Sequence, residues 1–346
     1  MWLPQSSLTN ARKNAHLCAP VSKIRAFSII AILGLFASSC ENTVDINAPW
    51  KETLVVYGLL DPFDSVQRIK VNKAFLGGDG SVYQTAKIAD SLFADSIKVY
   101  IIRSSTGETI ECKPEWVLEK DSGIFANDYT RIWTTRERIY SNESYEIRVS
   151  NPLSGTQIYS STRTVGDAKI QSPFNSVTNL FSVGPEYVTI SFTPGANTYA
   201  YDVRFMVHYQ SINALDTNQK TEHTAVWKML SNYYVQPGNR ALNQIPRLSF
   251  LQFLANTIPS DPNILHRFTS VGIVFYGGNQ QLLDYISVNE PSIGIVQKQA
   301  EYSNIDGGLG LFASRCTQTI DQVPIHAASI SYMAKHPTTL PLNLIP

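Results

Sequence analysis

The sequence predicts a mainly β protein organised as two consecutive β-sandwich domains. Three observations carry this. Short segments alternate apolar and polar residues with a period of two, as half-buried strands do. Gly, Pro, Asn and Asp punctuate those segments at short intervals. Charged residues are 16% of the chain, under the usual quarter of soluble domains, while 17 Tyr and 15 Phe supply side chains that suit a pleated surface. With 346 residues, 43% of them hydrophobic, the chain is long enough to bury two cores.

The elements follow in order. Thr53–Leu60 (TLVVYGLL) reads as a strand, Asp61–Ser65 (DPFDS) as a turn, and Val66–Phe75 as a second alternating strand. Gly77–Gly80 (GGDG) breaks the pattern, and residues 84–95 suit a short helix or a loop. From Ser96 the pattern is all strand. SIKVYIIRS and STGETIECK turn at Thr106 and Gly107, the Ile124–Trp133 region follows, and SYEIRVSNPLSGTQIYSSTRTV is punctuated by Asn151, Pro152, Ser154 and Gly155. These segments make a first domain over residues 53–166, immunoglobulin-like or transthyretin-like in its many short strands.

A fibronectin-III-like second domain is expected over residues 167–319. Tyr187–Gly195 and Thr198–Gln210 alternate, the latter with Tyr199, Tyr201, Val203, Phe205 and Val207 on one face. Thr221–Leu230 continues the sheet. Leu248, Leu251, Leu254 and Ala255 then follow helical spacing, with Pro246 before them and Pro259 after, which predicts a helix near 247–257. Phe268–Gly278 returns to strand. The tail, residues 320–346, is expected to leave the strand pattern after Cys316, with helical character near His326–Lys335.

Residues 1–39 read as an export signal. Lys23 and Arg25 precede the apolar run Ala26–Ala37, and Ser38 and Ser39 lead into Cys40. The run is shorter than the roughly 20 residues that span a bilayer. A compact signal would begin at Val21, read from an alternative start codon. A cysteine directly after small residues points to lipoprotein processing, in which the Cys40 thiol carries diacylglycerol and the new amine an acyl chain. Two or three chains anchor a protein stably where one is marginal. An ordinary signal followed by a chance cysteine is the plain alternative. Residues 40–52, polar and with Pro49, read as a tether. Without residues 1–39 the chain has 24 basic and 28 acidic residues, a mildly acidic body with no electrostatic footprint for nucleic acid.

Motifs of chemistry are sparse. Asn304–Arg315 (NIDGGLGLFASR) has the glycines of a phosphate loop, but LFAS follows Gly310 as a strand, without the Lys and Ser or Thr of a Walker loop or a surrounding βαβ unit. It reads as a tight turn or bulge where glycine tolerates positive φ, so Gly308→Val is expected to strain the backbone. His208, His223, His266, His326 and His336 form no close ligand pair, although His208 and His223 flank a hairpin loop, and no metal is expected. Asp61, Asp64 and Asp79 sit in turns, the ordinary place for Asp. No G-x-S-x-G elbow is present, and paired catalytic carboxylates would carry no mark in the sequence. Trp116, Trp133 and Trp227 suit sheet packing or, alternatively, a sugar-stacking or peptide-binding platform. Cys112 and Cys316 are left either as a disulfide or as two buried thiols. Phe250 and Phe253 form a ridge beside the inward Leu248–Leu251–Leu254 face, a candidate docking patch unless a neighbouring loop covers it.

Asp284–Arg315 supports a resemblance, together with Cys40-Glu41, the LVVYGLL strand, Phe253–Pro259 (FLANTIP), Tyr302–Ile305 and Gly308–Phe312. It resembles Bacteroidota lipoproteins carrying domain of unknown function 4249, or a close sister group, over most of the mature chain. The resemblance implies a two-domain β-sandwich lipoprotein of the outer membrane, often encoded beside a TonB-dependent transporter. It transfers no functional residue except the lipidated Cys40, because the shared motifs are structural. The expectation is a non-enzymatic binding or accessory module that assists a TonB-dependent barrel in nutrient uptake, with no cofactor beyond its acyl chains. Membership of a secretion or envelope-assembly complex, or a hydrolase with an unmarked site, are the competing readings.

Overall fold

Alternation decides which side chains of the first strand turn inward. In β1 (Leu54–Leu60), Leu54, Val56 and Leu60 are buried while Tyr57 faces out. This computed structural model describes residues 53–74, 82–118, 129–172, 186–236, 238–289 and 301–346. The expected signal, the start at Val21, Cys40, the 40–52 tether, Gly77–Gly80 and residues 124–128 lie outside the described residues. The protein is mainly β, with 53% strand and five short helices among the described residues.

The first half continues with β2 (Gln67–Lys73), α1 (Val82–Ala86), α2 (Ala89–Leu92), β3 (Lys98–Arg103), β4 (Thr109–Val117), β5 (Thr130–Thr135), β6 (Ser144–Asn151) and β7 (Thr156–Arg163). β8 (Lys169–Ser172), β9 (Tyr187–Thr193), β10 (Ala200–Asn213), β11 (Lys220–Tyr234), β12 (Ala241–Pro246) and α3 (Arg247–Thr257) follow. β13 (Ile264–Gly278), α4 (Gln280–Asn289), β14 (Leu309–Val323), α5 (Ala327–Lys335) and β15 (Leu344–Ile345) complete the order. One large mixed sheet runs β11-β10-β13-β14-β1-β2-β5-β4-β3-β6-β7, with β15 beside β13, and a small sheet runs β12-β9-β8.

The strand that joins the halves is β14. Its first part, Leu309–Ser314, lies parallel to β1, from Val55 opposite Leu309 to Leu60 opposite Ser314. Its second part, Arg315–Val323, lies antiparallel to β13. Ser314 pins this handover: its Oγ donates to Leu60 O at 2.7 Å and accepts from Val165 N–H at 3.2 Å. The core of the first half, around Trp133, Tyr145 and Ile69, therefore includes Ile305 and Phe312 from late in the chain. The second core gathers Tyr201, Phe205, Phe250, Phe275 and Met333.

A tyrosine anchors each half. Tyr145, second residue of β6, accepts from Tyr140 N–H at 2.9 Å, and Tyr201, second residue of β10, accepts from Gly195 N–H at 2.9 Å.

The tail corrects an expectation. The chain stays in strand past Cys316 to Val323, then forms α5, and Met333, Leu342 and Leu344 join the second core. Between Cys316 and Val323 only Ile320 is apolar, which leaves too little alternation to read as a strand. The helix α4 was not expected from the sequence. Its start is fixed by Asn279, whose Oδ1 accepts from Leu282 N–H at 3.2 Å as an N-cap does. The Asn279 Nδ2 group donates to Thr162 Oγ1 and Arg163 O on β7.

Candidate functional site

The turn after β1 builds the most developed cleft. In Asp61–Asp64, both carboxylates accept backbone N–H groups two residues on, Asp61 Oδ1 from Phe63 at 3.0 Å and Asp64 Oδ1 from Val66 at 3.0 Å. Such turns form readily from Asp. The buried Gln67 amide then ties the turn down. Its Oε1 accepts from Asp61 N–H at 2.9 Å, and its Nε2 donates to Asp61 O at 2.8 Å and to Asp64 O at 3.1 Å. Asp61 is thereby held at 4% exposure, an unusual place for a carboxylate.

Arg315 sits opposite, at the handover of β14. Its Nε approaches Asp61 Oδ2 to 3.8 Å, too far for a hydrogen bond, and its side chain remains 46% exposed. Burial raises the Asp61 pKa above the ordinary carboxylate value, against the lowering effects of the Phe63 N–H, Arg315 and Thr317. The next residue, Cys316, points the other way, and burial pushes its thiol up to about 12, with the Asp61 charge adding to the shift.

Three contiguous depressions share Arg315. The first, of about 310 Å³, lies between Tyr57, Asp61, Arg68, Leu282, Tyr285 and Leu311. The second, of about 190 Å³, continues past Arg315 along Tyr201, Asp202, Asn232, Tyr276 and Ile286. The third is more open and is bounded by Phe63, Asp64, Tyr276 and Thr317. Helix α4 forms one wall, presenting Leu282 and Ile286 one turn apart, neither fully buried. Tyr57 meets Tyr285 edge-on at 6.3 Å, and Tyr285 meets Tyr302 at 6.4 Å. Burial raises the Tyr57 phenol pKa, with Tyr285 contributing less.

The other candidates fall elsewhere. Phe250 is 2% exposed and packs edge-on against Phe205, and Phe253 is partly buried and stacks on Trp227. The ridge expected to dock a partner is thus part of the second core, covered by β10 and β11. Cys112 and Cys316 are both free, buried thiols, Cys112 among first-core residues and Cys316 beside Gly277 and Tyr201, which removes the pairing left open above. Trp133 and Trp227 pack in or against the cores, while Trp116 is exposed against Phe93 and Tyr129.

The glycine stretch closes a turn. Asp306 bridges to Tyr159 on β7, and the Asn304 side chain brackets Phe312, donating to its carbonyl at 2.7 Å and accepting from its N–H at 2.9 Å. Positive φ falls at Gly307 (78°) and Gly310 (116°) and not at Gly308. A side chain at Gly308 is opposed instead by contact, since a Cβ there would lie 2.7 Å from Leu54 O.

Each of the five described histidines has a local partner. His208 joins Thr224 Oγ1 at 2.9 Å to Asp321 Oδ1 at 2.7 Å, and His223 stacks on Tyr209. His326 accepts from Ala328 N–H and caps α5, and His336 accepts from Thr338 N–H. Among the described residues no group of three His, Cys, Asp or Glu is arranged for a metal ion. His266 is buried, with Nε2 donating to Pro259 O at 3.1 Å and Nδ1 accepting from Ser211 Oγ at 3.2 Å. Burial lowers its pKa below 6.5. The unfolded chain then takes up a proton near pH 6.5 that the folded chain refuses. Stability is expected to fall as pH drops from 6.5 toward the folded value, by at most about 1.4 kcal/mol per pH unit from this group. Urea unfolding at pH 7.5 and 5.5 should show a smaller difference in His266→Gln than in the wild type.

Sequence reasoning placed Asp61 and Asp64 in a turn but missed Arg315, Gln67 and α4. The helix left a signal, an Asn after two glycines and then Leu282, Leu283 and Ile286 at helical spacing. The pairing of Arg315 with Asp61 left none, because it depends on the β1–β14 register. In comparison with known proteins, the chain matches no family model and no curated protein.

Proposed function

We propose that the chain is a non-enzymatic binding module of the outer membrane, anchored by acyl chains on Cys40, which holds a small ligand and assists a TonB-dependent transporter in nutrient uptake. The Arg315 cleft is the observation that carries the binding role. A buried carboxylate loosely approached by Arg315 beyond its own Phe63 N–H and Thr317 hydrogen bonds, an accessible guanidinium and a wall of Tyr and Leu combine an apolar surface with a few convergent polar groups. The anchor rests on the Lys23–Cys40 pattern, and the transporter on the resemblance to the lipoprotein family.

The finer architecture belongs to this proposal: an immunoglobulin-like or transthyretin-like sandwich over 53–166 and a fibronectin-III-like one over 167–319, completed by β14. Two separate cores support it. So do Tyr145 and Tyr201, whose hydroxyls bond to backbone five and six residues upstream, as the tyrosine corner of immunoglobulin-like sandwiches does.

A second reading has an observation in its favour. Asp61 and Asp64 line one depression, and burial raises the Asp61 pKa, as it does for the general acid of a hydrolase. Against it, Asp64 is already held by Val66 N–H and by Arg68 at 3.1 Å, and Asp61 Oδ1 by Phe63 N–H.

The test is made in the native membrane. Cys40→Ala is expected to abolish acyl labelling and release the protein from the outer membrane or leave it as an uncleaved precursor. Unchanged labelling would end the lipoprotein reading. Crosslinking of the wild type should capture a transporter barrel, and capture of a secretion or assembly complex would replace the transporter role.

A further inference from the structure

We propose that the Arg315 cleft takes a neutral saccharide ring, with two neighbouring hydroxyls held between the Asp61 carboxylate and the Arg315 guanidinium. This rests on the reading of the cleft as the ligand site and names the class of ligand.

Charge balance comes first. Asp61, Asp64, Arg68 and Arg315 line the first depression, two acids against two bases. Asp64 and Arg68 satisfy each other at 3.1 Å. What remains for a ligand is one acceptor-only group beside one donor-only group, 3.8 Å apart. A free anion drawn to Arg315 would meet Asp61, and a free cation drawn to Asp61 would meet Arg315. A hydroxyl carries both a donor and acceptors, so a pair of adjacent hydroxyls satisfies both groups without a net charge.

Asp61 keeps room for one more donor. Nine-tenths buried, its carboxylate takes hydrogen bonds from Phe63 N–H and the Thr317 side chain, with Arg315 Nε 3.8 Å from Oδ2, and a carboxylate offers about four lone-pair sites. A hydroxyl donating to Oδ2 would make a charge-assisted hydrogen bond there. The remaining walls are apolar or aromatic, with Tyr57, Leu282, Tyr285 and Leu311 around the first depression. Such walls suit the C–H face of a sugar ring and offer little to a small carboxylic acid. The first depression, at about 310 Å³, is at the lower end of the roughly 300–1,000 Å³ range of ligand clefts and has room for a single ring, with the two neighbouring depressions open beside it.

Calorimetry on the full-length lipoprotein, in a detergent without a sugar headgroup, tests this. The probes are methyl glucoside, methyl mannoside and methyl galactoside, their singly deoxygenated analogues, and glycine, glutamate and acetate. At least one neutral glycoside is expected to bind. Arg315→Gln and Asp61→Asn should each weaken it about tenfold or more, as should removal of one of two adjacent hydroxyls. Tyr285→Ala, on α4 and outside the turn, should also weaken binding, and it serves if a turn variant fails to fold. Binding of glycine, glutamate or acetate that is lost in Arg315→Gln would keep the cleft as the site and overturn the saccharide. Glycoside binding unchanged in all three variants would place the ligand elsewhere and overturn both. Binding by none of the probes would overturn the saccharide assignment.

Discussion

Phe250→Ala is expected to lower the free energy of unfolding by about 3–5 kcal/mol, the cost of truncating a buried Phe. The residue lies on α3, where Phe250, Leu251 and Leu254 are the buried positions. Its ring meets Phe205 edge-on at 5.6 Å, Trp227 at 5.2 Å and Phe253 at 6.3 Å, so truncation removes aromatic contacts from three directions and leaves a cavity. Phe253→Ala should cost less, because Phe253 is only partly buried and rests mainly on Trp227. Leu248→Ser should stay within about 0.5 kcal/mol, since Leu248 is 50% exposed. Urea unfolding of the three variants checks this order. A loss under about 1 kcal/mol for Phe250→Ala would mean that the ring contributes little to the core, and the docking ridge would return.

The reversal of Leu248 and Phe250 shows what the sequence could and could not convey. Apolar residues around α3 leave several faces open, and spacing alone cannot choose between Leu248–Leu251–Leu254 and Phe250–Leu251–Leu254. The choice is made by β10 and β11, which bring Phe205 and Trp227 over Phe250. Strand β10 was legible for the opposite reason. Its two faces differ sharply, so Tyr201, Val203, Phe205 and Val207 could only turn inward. The candidate cleft was half legible. Asp61 and Asp64 were recognisable as turn formers, but Gln67, which buries Asp61, and Arg315, which faces it, act through hydrogen bonding and register between distant segments. A parallel partner such as β14 for β1 leaves no local mark, because no hairpin turn joins the two strands.

Gly310→Ala is expected to be the most damaging single change, with loss of more than about 4 kcal/mol or failure to accumulate folded protein. Two costs combine at this position. The backbone has φ of 116°, outside the regions open to residues with a Cβ, and forcing such a conformation costs on the order of 1–3 kcal/mol. A Cβ would also run into the carbonyl of Val56, which lies opposite Gly310 in the parallel β1–β14 pairing. Neither can relax without moving β14, and that strand carries Phe312 into the first core, Ser314 onto Leu60 O and Arg315 into the cleft. Gly308→Ala separates the two effects: it meets Leu54 O without a positive φ, so it should be the milder variant. Circular dichroism and thermal unfolding of both variants provide the measurement. Equal melting temperatures for Gly310→Ala and the wild type would show that β14 does not lie against β1 as described. The Asp61–Arg315 cleft would then lose its geometric basis together with the strand that builds it.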